Sequence, residues 1–299
     1  MKIIFSVIIP FKGSLCLLER LLDTIPEQEE IEVLIVDNNE TIGRLASDYF
    51  AARANLHLLY SDPLKGAGHA RNIGLQVAKG EWILFADADD FFHPGAFEIF
   101  YSCRNSPADI IYFCADSCYS DSLRPARRGE RVTELVTGYN EKKYKSELRL
   151  RYKFLIPSCK MIKRKFIEYY RIRFEEIQVA NDVYFSVLAG FWAKKIQAVP
   201  RVVYCLTVAP GSLTTLQSKE FLRIKYTTRL KSNVFLKQQG FSEYRLILIF
   251  HILKALKYGW RTVQEFCNLA HEKGMSIWVG WKELPAEVYY RIKKKIFRG

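Results

Sequence analysis

The chain is 299 residues long, 49% apolar, with a formal net charge of +13. That length allows one large domain or two modest ones around a sizeable core, and the composition excludes an intrinsically disordered chain. The positive balance calls for anionic company: nucleic acid, phosphate-bearing small molecules or a lipid surface.

In chain order, IIFSVIIP (residues 3–10) reads as a strand. Its apolar run of about seven residues lacks a small-residue cleavage site, so it is not a signal peptide. LCLLERLLDTI (15–25) carries helical spacing, IEVLIVD (31–37) is a strand and TIGRLASDYFAA (41–52) is helical. NLHLLY (55–60) reads as a strand, GHARNIGLQVAKG (68–80) as a helix closed by Gly80, and EWILFAD (81–87) as a strand. In the third helix Ala70, Ile73, Gly74, Val77 and Ala78 share one face, expected to lie on a sheet. Alternating elements with nearly continuously apolar strands predict an α/β fold, a mostly parallel central sheet flanked by helices.

Beyond residue 97 the pattern loosens. Residues 124–173 carry 16 Lys or Arg against 5 Glu, which suits either a solvated helical face or a surface for a polyanion or lipid headgroups. From about residue 219 the sequence reads as helical. It ends in EVYYRIKKKIFRG, whose interleaved aromatic, aliphatic and basic residues fit an anionic membrane surface or a frayed basic tail. No run approaches the roughly 18 apolar residues of a membrane span. Seven cysteines, an odd number without a CxxC pair, point to reduced thiols in a cytoplasm. Cys114 and Cys118 lack a second pair, so they read as buried small hydrophobes and not as a zinc site.

Ligands of parallel sheets bind beyond the carboxyl ends of the strands, where Pro10, Asp37 and Asp87 stand. At EWILFADADDFF a greasy run meets three carboxylates, Asp87, Asp89 and Asp90. Most Asp-x-Asp triplets are turns or caps. A divalent cation shared with a diphosphate would relieve the repulsion of this one and neutralise a leaving group.

The succession of Pro10, Asp37, Ala70-Arg71-Asn72-Ile73-Gly74 and Asp87-Ala88-Asp89-Asp90 resembles the family 2 glycosyltransferases of the Rossmann-like GT-A fold, closely over residues 4–97 and more loosely to about 215. The resemblance implies that Asp37 contacts the nucleobase, Asp87 the ribose and Asp89 a Mg²⁺ or Mn²⁺ ion. Pro10 and Phe11 would shape the base pocket, and Arg71 would hold the nucleotide or form a structural ion pair. Asp90 would be a structural neighbour. Downstream, IRFEEIQVANDVYFSVLAG resembles the family segment that ends in Glu-Asp before an aromatic-rich helix, which makes Asp182 the candidate general base. Asn181 replaces the usual Glu, and a helix N-cap is the competing reading of this pair. VAPGSLTT falls where the family often has Ser-x-Thr; Ser212 and Thr214 would offer hydroxyls to a diphosphate, or the segment is a surface turn. DNNE departs from the family's common Asp-Asp-Gly-Ser, which leaves the nucleobase open.

The resemblance implies a GT-A domain over residues 1–215, with a nucleotide-binding half at about 1–97 and an acceptor-side half at about 98–215. A mainly helical region with a basic tail follows over 216–299. It implies an inverting transfer of sugar from a nucleotide sugar, a UDP-sugar by expectation, to a glycan or lipid-linked glycan of a surface polysaccharide. The expected location is the cytoplasm, and the basic segments motivate peripheral contact with the inner face of an anionic membrane as one of their two readings. The rivals are a non-catalytic nucleotide-sugar binder or membrane scaffold on the same fold, and a nucleotidyltransferase, for which FKGSLC is a poor phosphate loop. A dinucleotide oxidoreductase needs a third glycine where Arg71 stands. A glycosidase would pair its carboxylates as acid and base and not cluster them. Nucleic acid is not expected, because no zinc-finger or RNA-recognition signature is present.

Overall fold

A computed structural model describes residues 2–39, 53–208, 218–279 and 288. The helix expected over 41–52, the VAPGSLTT segment with Ser212 and Thr214, and the basic tail lie outside the described residues. The chain divides into two compact units, Met1–Pro210 and Gly211–Gly299.

In the first unit, strands β1 (Phe5–Phe11), β2 (Ile31–Asp37), β3 (Leu56–Tyr60) and β4 (Trp82–Phe85) form the parallel part of a sheet. Every residue of β1, β2 and β4 is buried, as continuous apolar runs covered on both faces require. Strands β5 (Phe91–Phe92), β6 (Ile110–Tyr119), β7 (Lys160–Lys163) and β8 (Ile196–Val208) extend it into one eight-stranded sheet of order β3-β2-β1-β4-β7-β6-β8-β5. Here β7 is antiparallel to β4 and β6, β6 is parallel to β8, and β5 is antiparallel to β8. The mixed half is the part the alternating pattern leaves unread.

Around the sheet lie helices α1 (Leu15–Leu22), α2 (Gly66–Val77), α3 (Ala96–Cys103), α4 (Glu130–Thr137), α5 (Tyr144–Lys153), α6 (Arg164–Tyr169) and α7 (Asn181–Trp192). Two details of α2 differ from the sequence reading. Gly80 does not cap it, because the helix stops at Val77; a Cβ on Gly80 would stand 2.5 Å from the Ser6 backbone nitrogen. Glycine is required there so that the chain entering β4 can touch β1, and buried Glu32 accepts hydrogen bonds from Ser6 Oγ and the Lys79 and Gly80 N–H groups. Of the expected face of α2, Ala70, Gly74 and Ala78 are buried and Val77 is exposed; the buried surface widens instead to Arg71 and Asn72, both held by partners. Asn72 exchanges two hydrogen bonds with the Phe174 backbone, at 3.0 and 2.9 Å.

The second unit comprises α8 (Lys219–Gln238), α9 (Ile249–Ala255) and α10 (Trp260–Glu272). Ser218 caps α8 through the Phe221 N–H. Tyr226 stacks on Phe266 at 4.4 Å within a separate apolar core. Among the described residues no helix is long and apolar enough to cross a membrane.

Candidate active site

The site begins where β4 runs out. After Phe85 the chain turns, the Asp90 N–H donating to the Asp87 carbonyl at 2.9 Å. The turn is fastened from several directions. Arg20 at the end of α1 donates to the Asp89 carbonyl at 2.5 Å, and Thr207 of β8 donates its hydroxyl to the same oxygen at 2.7 Å. The Thr207 N–H donates to Asp90 Oδ1 at 2.7 Å, and the Asp87 N–H to the Tyr204 hydroxyl at 2.9 Å. The three carboxylates are thereby sorted. Asp90 is fully buried and anchors β8, whereas Asp87 and Asp89 keep partial access to solvent.

Charge inside this turn is only partly compensated by Arg71, Arg128 and Arg20. Burial pushes the Asp89 carboxyl above its ordinary range, and repulsion from Asp87 adds to the rise. Burial raises Asp90 further, helped by Asp89 and Asp87. Arg128, whose guanidinium donates to the Thr207 carbonyl at 2.6 Å, opposes both shifts. Asp90 Oδ2 has no hydrogen-bond partner among the described residues. Partly accessible carboxylate oxygens that lack enough positive charge fit a hard divalent cation, which takes oxygen ligands.

Across from the turn stands α7. Asp87 Oδ1 accepts from Arg71 Nη2 at 2.5 Å, and Arg71 Nη1 donates to Asn181 Oδ1 at 2.8 Å. The Arg71 guanidinium also lies over the Phe174 ring, 5.3 Å from its centroid. Phe174 stacks on Phe185 of α7 at 3.8 Å, and Phe85 of β4 meets both rings edge-on at 5.1 and 5.7 Å. This aromatic trio and the arginine fix the start of α7 beside the end of β4.

Asp182 sits in the first turn of α7, and the helix has no side-chain cap; its preceding residue, Ala180, is left-handed at φ 60°. Asn181 faces Arg71 and so does not cap. Burial raises the Asp182 carboxyl; Arg71 and Lys160 pull it down and Asp87 pushes it up. Lys160 of β7 is itself buried, its ammonium donating to the Phe154 carbonyl and Ser186 Oγ at 3.0 and 3.2 Å. Desolvation lowers its pKa to about 7.

Asp37 ends β2 directly opposite Phe11 in the register. Its Oδ1 accepts from the Asn39 backbone and side chain at 2.9 and 2.7 Å. Its Oδ2 is buried without a hydrogen-bond partner among the described residues, an acceptor turned to no protein donor. Pro10 and Phe11 are buried, Phe11 within the main core. The structure thus brings Asp87, Asp89, Arg71 and Asp182 together, and sets Asp37, Pro10 and Phe11 at the ends of the neighbouring strands. Sequence reasoning missed Arg20, Arg128, Lys160, Tyr204 and Thr207. Each arrives from a distant element, and no local pattern marks it.

The sequence model described as Glycosyl transferase family 2 matches residues 6–171. The chain belongs to this family. As a family 2 glycosyltransferase it has curated relatives such as the uncharacterized glycosyltransferase EpsJ of Bacillus subtilis, 24% identical over 243 residues, 75% of this chain and 68% of EpsJ. In fold it resembles residues 1–349 of Staphylococcus aureus TarS solved with UDP-GlcNAc, at TM-score 0.66 and 18% identity, covering 91% of this chain and 80% of the other. It also resembles the mannosyltransferase PcManGT of Pyrobaculum calidifontis, solved with GDP-Man and Mn²⁺, at TM-score 0.57 and 16% identity over 99% of this chain and 84% of the other. The fold of this glycosyltransferase is therefore GT-A.

Proposed function

We propose that the protein transfers a sugar, with inversion, from a nucleotide-sugar donor to a hydroxyl of a glycan acceptor. The observation that carries the reading is the linkage of Asp87 through Arg71 and Asn181 to the first turn of α7, which sets Asp182 beside the acidic turn. Asp182 then acts as general base: its carboxylate takes the acceptor proton, and the acceptor oxygen attacks the anomeric carbon. The bond from that carbon to the diphosphate breaks, and its electron pair leaves with the nucleoside diphosphate. Asp89, with Asp87 beside it, would hold Mg²⁺ or Mn²⁺, which supplies positive charge against the departing diphosphate. The unpartnered Oδ2 of Asp37 accepts from a nucleobase N–H, Pro10 and Phe11 back the base, and Asp87 binds the ribose. Arg71 contributes by holding Asp87 and Asn181 in place.

A UDP-sugar is the donor to try first, because TarS is solved with UDP-GlcNAc. The acceptor in this reading is a glycan or lipid-linked glycan of a surface polysaccharide, met at the cytoplasmic face of the membrane. The exposed Lys142, Lys143, Lys145 and Arg149 support an anionic contact there; failure to bind anionic vesicles at low salt would remove it.

A panel of nucleotide sugars, screened for metal-dependent binding and slow hydrolysis, identifies the donor. With it in hand, Asp182→Asn should slow transfer by about 10²–10⁴-fold or more while leaving donor affinity intact. Asp89→Ala should weaken nucleotide binding in the presence of metal. Full turnover by Asp182→Asn would refute the assignment of the base.

A further inference from the structure

A second cluster of ligand-type side chains lies on the far strands of the sheet and takes no part in the proposed transfer. The β6–β8 register pairs Asp116 with Cys205, and Cys118 is two residues further along β6, hence on the same face. The β5–β8 register pairs Phe91 with Cys205, and His93, two residues on, projects to that face as well. His93 Nε2 lies 2.7 Å from Asp116 Oδ1, and Cys205 Sγ lies 3.4 Å from Cys118 Sγ. One ligand atom each from His93, Asp116 and Cys205 all fall within 4.8 Å of one another. Both thiols are buried, while the imidazole and carboxylate stand toward solvent. The cluster thus has a dry floor of sulfur and an accessible mouth.

We propose that His93, Asp116, Cys118 and Cys205 form a structural Zn²⁺ site that ties β5, β6 and β8 together. With zinc about 2.3 Å from sulfur and about 2.0–2.2 Å from nitrogen or oxygen, a tetrahedral set has its ligand atoms about 3.3–3.8 Å apart. To reach this the sulfur–sulfur pair opens by about 0.4 Å and the imidazole–carboxylate pair by about 0.6 Å, and Cys118, which stands outside the group of three that already lies within 4.8 Å, swings its thiol toward them. Two thiolates, an imidazole and a carboxylate suit zinc, whereas Mg²⁺ and Mn²⁺ favour the all-oxygen acidic turn. The site also has a structural purpose. β5 is two residues long and follows Asp90 directly, and Thr207, two residues beyond Cys205, is the residue that fastens Asp89 and Asp90. Zinc at this position would hold the exit of the acidic turn. The spacing of residues 93, 116, 118 and 205 gives no zinc signature, because three separate strands supply the ligands.

The test uses the full chain, purified in reductant and stripped with a chelator. Zn²⁺ is titrated against a chromophoric chelator, and Co²⁺ is added to a parallel sample for absorption spectra. The expected result is one tight equivalent of zinc, with a Co²⁺ spectrum showing tetrahedral d–d bands and near-ultraviolet thiolate-to-metal charge transfer. Losing even a hydrogen-bond partner of a ligand costs about 10–100-fold in metal affinity, so Cys205→Ser, Cys118→Ser and His93→Ala should lose at least as much. Asp89→Ala should keep the spectrum, which separates this site from the acidic turn. Absence of charge transfer in the wild-type protein would overturn the proposal whatever the variants do. So would undiminished zinc affinity in folded Cys205→Ser, or a Cys118–Cys205 disulfide whose reduction brings no metal uptake.

Discussion

At the scale of single residues, the proposed chemistry would rest on two titrating groups, half-buried Asp182 and buried Lys160, that act on each other electrostatically. Burial holds the Asp182 carboxyl above its ordinary range, so the basic form is lost as pH falls through that raised value. The pH profile of kcat/KM should therefore have an acid limb above the usual carboxylate range, and Asp182→Asn should remove that limb with the activity. Lys160, lowered to about 7, carries its charge only below that pH, and there it pulls Asp182 down. Lys160→Met should thus move the acid limb upward while leaving the rate at pH 8 nearly unchanged; an unmoved limb would show that Lys160 is merely structural. Asp37, Asp87 and Asp89 stand out as candidates because each is an acidic residue at or just past the end of an apolar run, whereas Asp182 is a candidate only through the family resemblance. Lys160 does not stand out. In the sequence it is one basic residue among sixteen, and only the fold buries it against Tyr112 and Phe154.

At the scale of elements, the glycines of GAGHARNIG serve close approach. A Cβ on Gly68 would lie 2.0 Å from the Glu175 carbonyl oxygen and 2.9 Å from Asn181 Cβ, and one on Gly74 would lie 2.5 Å from Ile8 Cγ2. Helix α2 is therefore pressed between β1 and the segment that delivers α7. Gly68→Ala should destabilise the protein by about 1–3 kcal/mol by overpacking. Because the displaced segment leads into Asp182, transfer should fall more than nucleotide binding does. Thermal melts together with separate kcat and KM values check this. Periodicity located α2 and the buried Ala70, Gly74 and Ala78 but wrongly included Val77, because it counts only apolar residues. The rest of the buried surface is supplied by Arg71 and Asn72, polar side chains made buriable by partners about a hundred residues away.

At the scale of the whole molecule, the parallel character of β1 to β4 could be read from alternating runs, whereas their order and the insertion of β7 between β4 and β6 could not. Antiparallel neighbours from distant segments leave no periodic trace. The two apolar cores are composed of separate sets of residues, one ending at Leu206 and the other beginning at Leu222. A chain ending at Pro210 should accordingly unfold cooperatively and retain nucleotide binding; a broad, non-cooperative melt of that fragment would count against two independent units.

The latch on the acidic turn also orders events in time. Asp87, Asp89 and Asp90 leave the ribosome long before Tyr204 and Thr207, which carry the hydroxyls and amide that clamp them. Until β8 is synthesised, β5 has no partner and three like charges share an unfastened loop. The growing chain is therefore denied its reactive geometry until about two thirds of it exist. If the acidic turn is the donor site, a nascent chain should bind no nucleotide sugar until β8 has been made.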